Sequence, residues 1–215
     1  GLATGGNSLT FSNLTVSGTS GTSTIRFIGG ATNNAITNAT ILGGFTAAVG
    51  TNGGNIFFST DALTANGNDN NTISNSEIGP ISLGSLPTKA VYFNGSTTTT
   101  AINNSGNSVT GNYIYDYFGD AVSSAGIYVA GGTTDCSFTN NRFFQRNIRS
   151  QTTGATHAAI WIANSSGNNF QTTGNTIGYS DSGGGGTYSF VGISASSKFL
   201  PIYFSSAGTT TASSI

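Results

Sequence analysis

A short apolar–x–apolar triplet recurs along this chain at nearly constant intervals. Its copies begin at positions 25, 56, 91, 127, 160 and 191, so that successive copies lie 31 to 36 residues apart. A period of this size is typical of repeat architectures, in which one repeat cannot bury its apolar face without its neighbours. The copies are Ile25-Arg26-Phe27, Ile56-Phe57-Phe58, Val91-Tyr92-Phe93, Ile127-Tyr128-Val129, Ile160-Trp161-Ile162 and Val191-Gly192-Ile193.

A second pattern alternates with the first and consists of an apolar residue, an asparagine-containing corner and another apolar residue. Asn and Gly tolerate the left-handed backbone of tight corners, and the segments between them lack a helical period. Each repeat is therefore expected to form one coil of two or three short strands that pair with their equivalents above and below. The copies are FSNLTV (11–16), ITNATI (36–41), ISNSEI (73–78), VTGNYI (109–114), FTNNRF (138–143) and a longer FQTTGNTI (170–177).

Several of these segments resemble a known family of folds. NNTISNSEIG (70–79), SGNSVTGNYI (105–114) and AGIYV (125–129) resemble the right-handed parallel β-helix repeats of the pectate-lyase-like superfamily. GNTIGYSD (174–181) followed by VGISASS (191–197) is similar to repeats of very large secreted bacterial cell-surface proteins and adhesins. The resemblance implies an all-β fold, a right-handed single-stranded parallel β-helix (solenoid) of about six coils, with residues 1–215 as one domain. It specifies the activity poorly, because lyases, hydrolases, phage tailspikes and adhesins share this solenoid.

The register of the two patterns predicts which side chains form the core. The outer members of each triplet and the apolar ends of each corner should point inward and stack on their equivalents. Cys136 shares a face with Phe138, which predicts a buried, inert thiol. The predicted core includes Ile73, Ile78, Val109, Ile114, Ile127, Val129, Phe138, Phe143, Ile160 and Ile162.

Composition narrows the class of protein. Only 6% of residues are charged, against about 25% in a typical soluble domain, while 36% are hydrophobic and 11% aromatic, enough apolar surface to support a folded core. A net charge of −1 offers no attraction for nucleic acid, and no apolar run reaches the ~18 residues of a membrane span. A polar, weakly charged chain rich in Thr, Asn and Ser is typical of extracellular β proteins, so an extracellular or cell-surface location is expected.

The chain begins GLATGG and contains no methionine, and we expect it to be a segment of a longer protein. Neither end contains an amphipathic helix that could serve as a cap. Solenoids with open ends expose strand edges and core. A neighbouring protein chain is therefore a candidate partner that caps the ends.

The resemblance also says which catalytic residues to look for. Polygalacturonase-like hydrolases carry clustered aspartates with Gly-His-Gly and Arg-x-Lys, and these strings do not occur here; pectate lyases use calcium-binding aspartates and an arginine base. His157 is expected at the surface or in a loop, and Asp120 with Arg149 is expected to form a surface salt bridge between coils. No catalytic residue is predicted. The nearest cluster of charge is Arg142, Arg146 and Arg149 beside Asp116, Asp120 and Asp135.

No catalytic cofactor is expected, although one segment has the composition of a calcium-binding turn. ANGNDNNTIS (65–74) resembles such turns through Asn68, Asp69 and Asn70. Those sites need tandem copies that share an ion, and only one copy is present. Corner formation by Asn and Gly is the favoured interpretation.

The middle residues of the triplets supply the candidate ligand-binding site. They should point outward from one sheet, which places Phe57, Tyr92, Tyr128 and Trp161 in a stripe about 14 Å long, flanked by Arg26 and Gly192. Soluble proteins rarely leave such a stripe bare. Either a loop covers it, with 115–124 and 144–157 as candidates, or it binds glycan or another chain.

These observations favour a structural or adhesive shaft segment of a secreted or surface-exposed bacterial protein. The competing interpretation is a polysaccharide-active enzyme, a lyase or glycoside hydrolase, or a carbohydrate-binding module on the same fold. A pair of ordered carboxylates in a groove would favour the enzyme.

Overall fold

The computed structural model describes residues 7, 9–59, 65–192, 196–206 and 210–215, and these residues form short β-strands with one 3-10 turn at Thr100–Ile102. Runs of β-branched and aromatic residues form the strands, and Asn and Gly separate them. The strands are β1 Leu9–Ser17, β2 Ser23–Phe27, β3 Ala35–Thr37, β4 Ala39–Phe45, β5 Gly54–Ser59, β6 Thr72–Ser74, β7 Glu77–Pro80, β8 Lys89–Asn94, β9 Asn104–Ser105, β10 Ser108–Thr110, β11 Tyr113–Tyr115, β12 Ser124–Val129, β13 Thr133–Thr134, β14 Ser137–Thr139, β15 Arg142–Phe144, β16 Arg149–Gln151, β17 Thr156–Asn164, β18 Thr176–Tyr179, β19 Phe190–Gly192 and β20 Lys198–Ser206.

The strands assemble into three main parallel sheets. Sheet A has the order β1-β4-β7-β11-β15-β18, sheet B the order β2-β5-β8-β12-β17-β20, and sheet C the order β3-β6-β10-β14. The pairs β9–β13 and β16–β19 form two small sheets, also parallel. Neighbouring strands in a main sheet come from successive repeats. The all-β, parallel fold expected from the sequence is therefore confirmed, and it is compatible with a β-helix.

The core register agrees with the sequence prediction. Ile73 pairs with Val109, which pairs with Phe138; Ile78, Ile114 and Phe143 follow the same order in sheet A; Ile127 and Val129 pair with Ile160 and Ile162 in sheet B. All ten side chains are at most 1% exposed. Cys136 is buried as predicted, and burial raises the pKa of its thiol to about 12, so it stays protonated and unreactive.

Two corners flank every strand of sheet C, and each uses a left-handed residue. At the corner before sheet A the backbone φ is +50° at Asn75 and +56° at Asn140, and glycine takes the same place at Gly111 and Gly174. Asn and Gly are the residues that adopt this conformation at low cost. The corner before sheet C uses Asn33, Asn70, Gly106 and Asp135, and Asn169 takes the same place before the isolated bridge from Gln171 to Ser137.

At several corners the residue after the left-handed position is an asparagine, and these asparagine side chains form ladders between repeats. Asn112 Nδ2 donates to Asn141 Oδ1 at 3.0 Å, and Asn141 Nδ2 donates to Asn175 Oδ1 at 3.2 Å. Each amide also donates to a main-chain carbonyl, as Asn112 does to Ile73 at 2.9 Å. The ladder supplies partners to corner groups that the sheets leave unpaired. A second ladder runs through Asn34, Asn71 and Asn107.

The prediction that Val191-Gly192-Ile193 forms the last triplet of the pattern is wrong. The strand that pairs with β17 in sheet B is β20, which contains Ile202-Tyr203-Phe204, and Tyr203 pairs with Trp161. Gly192 lies in β19 and pairs with Gln151, while Ile193 lies outside the described residues. The glycine-rich segment 180–189 lengthens this repeat, so the constant spacing pointed to the wrong strand.

Candidate functional site

The outward residues of sheet B form a continuous aromatic row. Strand pairing places Phe57 beside Tyr92, Tyr92 beside Tyr128, and Tyr128 beside Trp161, as the sequence predicted. Tyr203 extends the row by one ring that the sequence analysis missed. Successive ring centroids are 5.1, 5.4, 5.4 and 5.0 Å apart. We call these five residues the aromatic row.

Exposure divides the aromatic row into two halves. Phe57 and Tyr92 are 0% and 1% exposed, so they cannot contact a ligand in this conformation. Tyr128 and Trp161 are half-buried, and Tyr203 is 37% exposed. Only the half of the row toward β20 therefore offers aromatic surface to a ligand.

A lysine and a loop account for the buried half. Lys89 is itself fully buried, and its Nζ lies 4.5 Å from the ring centre of Tyr92. The same Nζ donates to main-chain carbonyls of the segment between β4 and β5, at Ala48, Val49 and Thr51. Asn94, next to the row on β8, donates to Asn52 of this segment at 2.9 Å. Residues 46–53 thus lie against the buried half, rather than either of the loops suggested by the sequence.

Burial also shifts the pKa values of Lys89 and Tyr92 in this half of the row. Desolvation lowers the pKa of Lys89 to about 7 and raises the pKa of Tyr92. At the end of the row, the Arg26 guanidinium lies 5.3 Å from the centre of Phe57 and donates to Ser59 Oγ. The Arg26 guanidinium therefore lies against the last ring of the row, Phe57.

His157 is not at the surface, contrary to the sequence expectation. It is 0% exposed, its Nδ1 lies 2.7 Å from Ser124 Oγ, and its Nε2 hydrogen-bonds with the Tyr188 hydroxyl. Burial, with a smaller contribution from Arg149, lowers the pKa of His157 to about 3. The start of β17 packs inward because Phe199 and other aromatic rings surround the imidazole.

A serine beside a histidine is a component of nucleophilic active sites. Here Ser124 and His157 are both 0% exposed and Tyr188 is 7% exposed. A substrate cannot reach the serine oxygen in this conformation. The contact is therefore part of the buried packing of this region.

The expected Asp120–Arg149 salt bridge is also wrong. Arg149 Nη2 donates to Asp116 Oδ1 at 2.7 Å, and Arg146 Nε donates to Asp116 Oδ2 at 2.5 Å. Asp120 is exposed, and its main-chain oxygen accepts from Thr152. The prediction relied on equal spacing, since Asp120 lies six residues after Ile114 and Arg149 six residues after Phe143. The segments after β11 and β15 differ in length, and the second contains β16, so equal spacing does not bring the two side chains together.

The residues that resembled a calcium turn have partners within the protein. Asn68 Nδ2 donates to Asn104 Oδ1 at 3.0 Å, and Asp69 Oδ1 accepts from the main-chain N–H of Ser105 at 2.8 Å. Asn70 has a left-handed φ of +55°. These are the contacts of a corner. Within the described part of the chain, no group of three or more His, Cys, Asp or Glu side chains is arranged to hold a metal ion.

Comparisons with known proteins add no relatives. No protein-family model matches the chain, and neither a curated protein nor a solved structure does. Among the described residues, no helix has the length and apolarity needed to cross a membrane. The fold and the site together define an all-β protein of parallel sheets with an aromatic row on sheet B.

Proposed function

We propose that this chain is a structural and adhesive segment of a secreted or surface-exposed bacterial protein, and that it holds glycan against the exposed half of the aromatic row. In this proposal the parallel sheets form a right-handed single-stranded β-helix of about six coils. The chain passes through sheets A, B and C in turn, which is compatible with such a solenoid. Stacked repeats give a rod whose length grows with the number of coils.

One observation carries the binding proposal: three consecutive strands of sheet B present Tyr128, Trp161 and Tyr203 in register with their rings accessible. Aromatic faces pair with flat apolar surfaces such as those of pyranose rings, and tyrosine and tryptophan keep a polar atom for hydrogen bonding. Strand pairing fixes the three rings before a ligand arrives, which reduces the entropy cost of binding.

Chemistry at this surface favours a sugar over a charged ligand. Two basic side chains contact rings of the row, Arg26 at Phe57 and Lys89 at Tyr92; both lie at its buried half and already donate to carbonyl or hydroxyl oxygens. The accessible half presents rings. A weakly charged, hydroxyl-rich polymer is the ligand class that matches such a surface.

The test is a glycan array probed with three proteins. The unaltered chain is expected to bind a set of oligosaccharides, and Trp161→Ala should lower that signal about tenfold, since it removes the central ring. Tyr179→Ala is the matched control. The exposed fraction of Tyr179, 38%, is nearly that of Tyr203, but Tyr179 lies on sheet A. An undiminished signal from Trp161→Ala, an equal loss in Tyr179→Ala, or no binding by the unaltered chain would contradict the proposal.

A further inference from the structure

A second groove lies on a different face of the molecule, over sheet A. It has a volume of about 230 Å³ and is formed where β7, β11 and β15 meet the loop after β18. Side chains on either side of inward-facing Ile114 point into it from β11. The lining residues are Glu77, Tyr113, Tyr115, Phe144, Arg146, Asp181 and Ser182.

One ring of this groove is fixed and another is accessible. Tyr115 stacks on Phe144 at 5.2 Å, and the Arg146 guanidinium lies 4.6 Å from the Tyr115 ring centre. Gly79 makes room for this ring, since a Cβ there would come within 2.4 Å of it. Tyr113, by contrast, is 37% exposed and is the ring that a ligand can cover.

Asp181 and Arg146 are held in place by other parts of the protein. Asp181 Oδ1 accepts from the main-chain N–H groups of Gly183 and Gly185, at 2.7 and 2.9 Å. Arg142 Nη1 donates to the Ser182 carbonyl at 2.6 Å and so ties this loop to β15. Arg146 is anchored by Asp116 while its side chain stays 43% exposed. One acceptor, Asp181, and one donor, Arg146, thus face the groove with little freedom left to lose.

The charges of the groove are mixed and balanced. Glu77 and Asp181 contribute two carboxylates, while Arg146 and the neighbouring Arg142 contribute two guanidinium groups. An anionic ligand would meet the carboxylates, and a cationic ligand would meet the guanidinium groups. A neutral molecule with many hydroxyl groups can donate to the first and accept from the second.

We propose that this groove binds one neutral hexopyranose unit, with its apolar face on Tyr113 and its hydroxyl groups on Glu77, Asp181 and Arg146. The volume is below the range of about 300–1,000 Å³ that drug-sized ligands occupy, which suits a single ring. The site lies on sheet A, so it does not depend on the aromatic row of sheet B.

The experiment uses saturation-transfer NMR with the methyl glycosides of glucose, galactose and mannose as neutral probes. At least one should bind, and Tyr113→Ala and Glu77→Gln should each weaken its binding about fivefold or more. Tyr113→Phe keeps the ring and should retain binding. Leu83→Ala is the control, because Leu83 is 70% exposed and lies outside both the groove and the aromatic row, and it should leave binding unchanged.

Charged sugars test whether the groove prefers a neutral ligand. Glucuronate and glucosamine should bind more weakly than the best neutral glycoside. Tighter binding of either, no binding of any neutral probe, or equal losses in Tyr113→Ala and Leu83→Ala would overturn the proposal. Repeating Tyr113→Ala in the Trp161→Ala background separates the two sites, because binding at the aromatic row is already weakened there and the further loss of methyl glycoside signal belongs to the groove.

Discussion

The neutral imidazole of His157 makes the stability of the chain sensitive to acid. Burial lowers its pKa to about 3, whereas the unfolded chain titrates near its ordinary value of about 6.5. Between these values the unfolded chain binds more protons, so the contribution is fully present above pH 6.5 and is lost as the pH falls toward 3. We expect the free energy of unfolding to fall by up to about 4–5 kcal/mol over this range from His157.

Urea denaturation at pH 7, 5 and 4 measures this slope. His157→Gln removes the titrating group and is expected to be less stable at pH 7, because it loses packing against Tyr117 and Phe199. Its stability should nevertheless depend less steeply on pH than that of the unaltered chain. Parallel slopes for the two proteins would show that His157 is not responsible.

The two halves of the aromatic row should respond differently to truncation. Phe57 is fully buried, so Phe57→Ala leaves a cavity and is expected to cost about 3–5 kcal/mol. Tyr203 is 37% exposed at the end of the row, and Tyr203→Ala should cost less than about 1 kcal/mol. Denaturant titrations of both variants check the difference. Equal costs would mean that the exposed half is covered in solution as well.

For single residues, the sequence predicted which face of a sheet a side chain points to, but not whether that side chain reaches solvent. Alternation placed Phe57, Tyr92, Tyr128 and Trp161 on the outer face of one sheet, and the register agrees. Whether an outward ring meets solvent depends on the path of residues 46–53 and on the buried Lys89 that holds them. No period in the sequence encodes that path.

Among the elements, the asparagine ladder is the most readily tested. Asn141 is fully buried, accepts from the main-chain N–H and side-chain Nδ2 of Asn112, and donates to the Val109 carbonyl at 2.9 Å. Asn141→Leu would leave the main-chain N–H of Asn112 and the Val109 carbonyl without these partners. A buried group that loses its partner costs about 1–3 kcal/mol, so we expect a loss of about 2–5 kcal/mol for the variant.

The neighbouring residue provides a control for this prediction. Asn140 is exposed and left-handed, and Gly111 and Gly174 take its place in the adjacent repeats. Asn140→Gly should therefore change stability by less than about 1 kcal/mol. Thermal or denaturant unfolding of the two variants distinguishes the roles. A similar loss at both positions would contradict a specific role for the ladder.

The ladders had a sequence signal that could have been used more fully. A left-handed Asn or Gly is followed directly by the ladder residue in Asn70-Asn71, Gly106-Asn107, Gly111-Asn112, Asn140-Asn141 and Gly174-Asn175. The dipeptide therefore carries two functions at once, a corner and an amide partner. The repeat pattern by itself indicates only the corner. Strand β20 was missed for a different reason, since an insertion changes the period and leaves no local mark on the strand itself.

For the whole molecule, the repeat period predicted how the strands pair better than it predicted the contacts of individual side chains. Short strands cannot persist alone, so the constant period required parallel pairing between repeats, and the three sheets have that pairing. Charged side chains were predicted less well because they lie where repeats differ in length. Asp116, Arg146, Arg149 and His157 all occur in or beside such variable segments. Their partners depend on tertiary contacts that a periodic pattern does not specify.

The outermost strand of sheet A leads to a prediction about association. β1 forms one edge of this sheet, and its side chains include Leu14 at 78% and Val16 at 53% exposure. An exposed edge with apolar side chains is a template for pairing with another chain. We expect the 215-residue chain to associate with a second copy in a concentration-dependent way, and sedimentation velocity over a range of concentrations measures this.

Charge on the edge strand should suppress that association. Leu14→Lys combined with Val16→Lys places two like charges at the edge, and natural proteins use lysine in this way to block edge pairing. Leu83→Lys is the matched control, because Leu83 is 70% exposed but lies in the loop after β7, away from the edge. The double variant should sediment as a monomer at concentrations where the unaltered chain and Leu83→Lys associate. If the unaltered chain stays monomeric, or if Leu83→Lys has the same effect, the edge of β1 does not drive association.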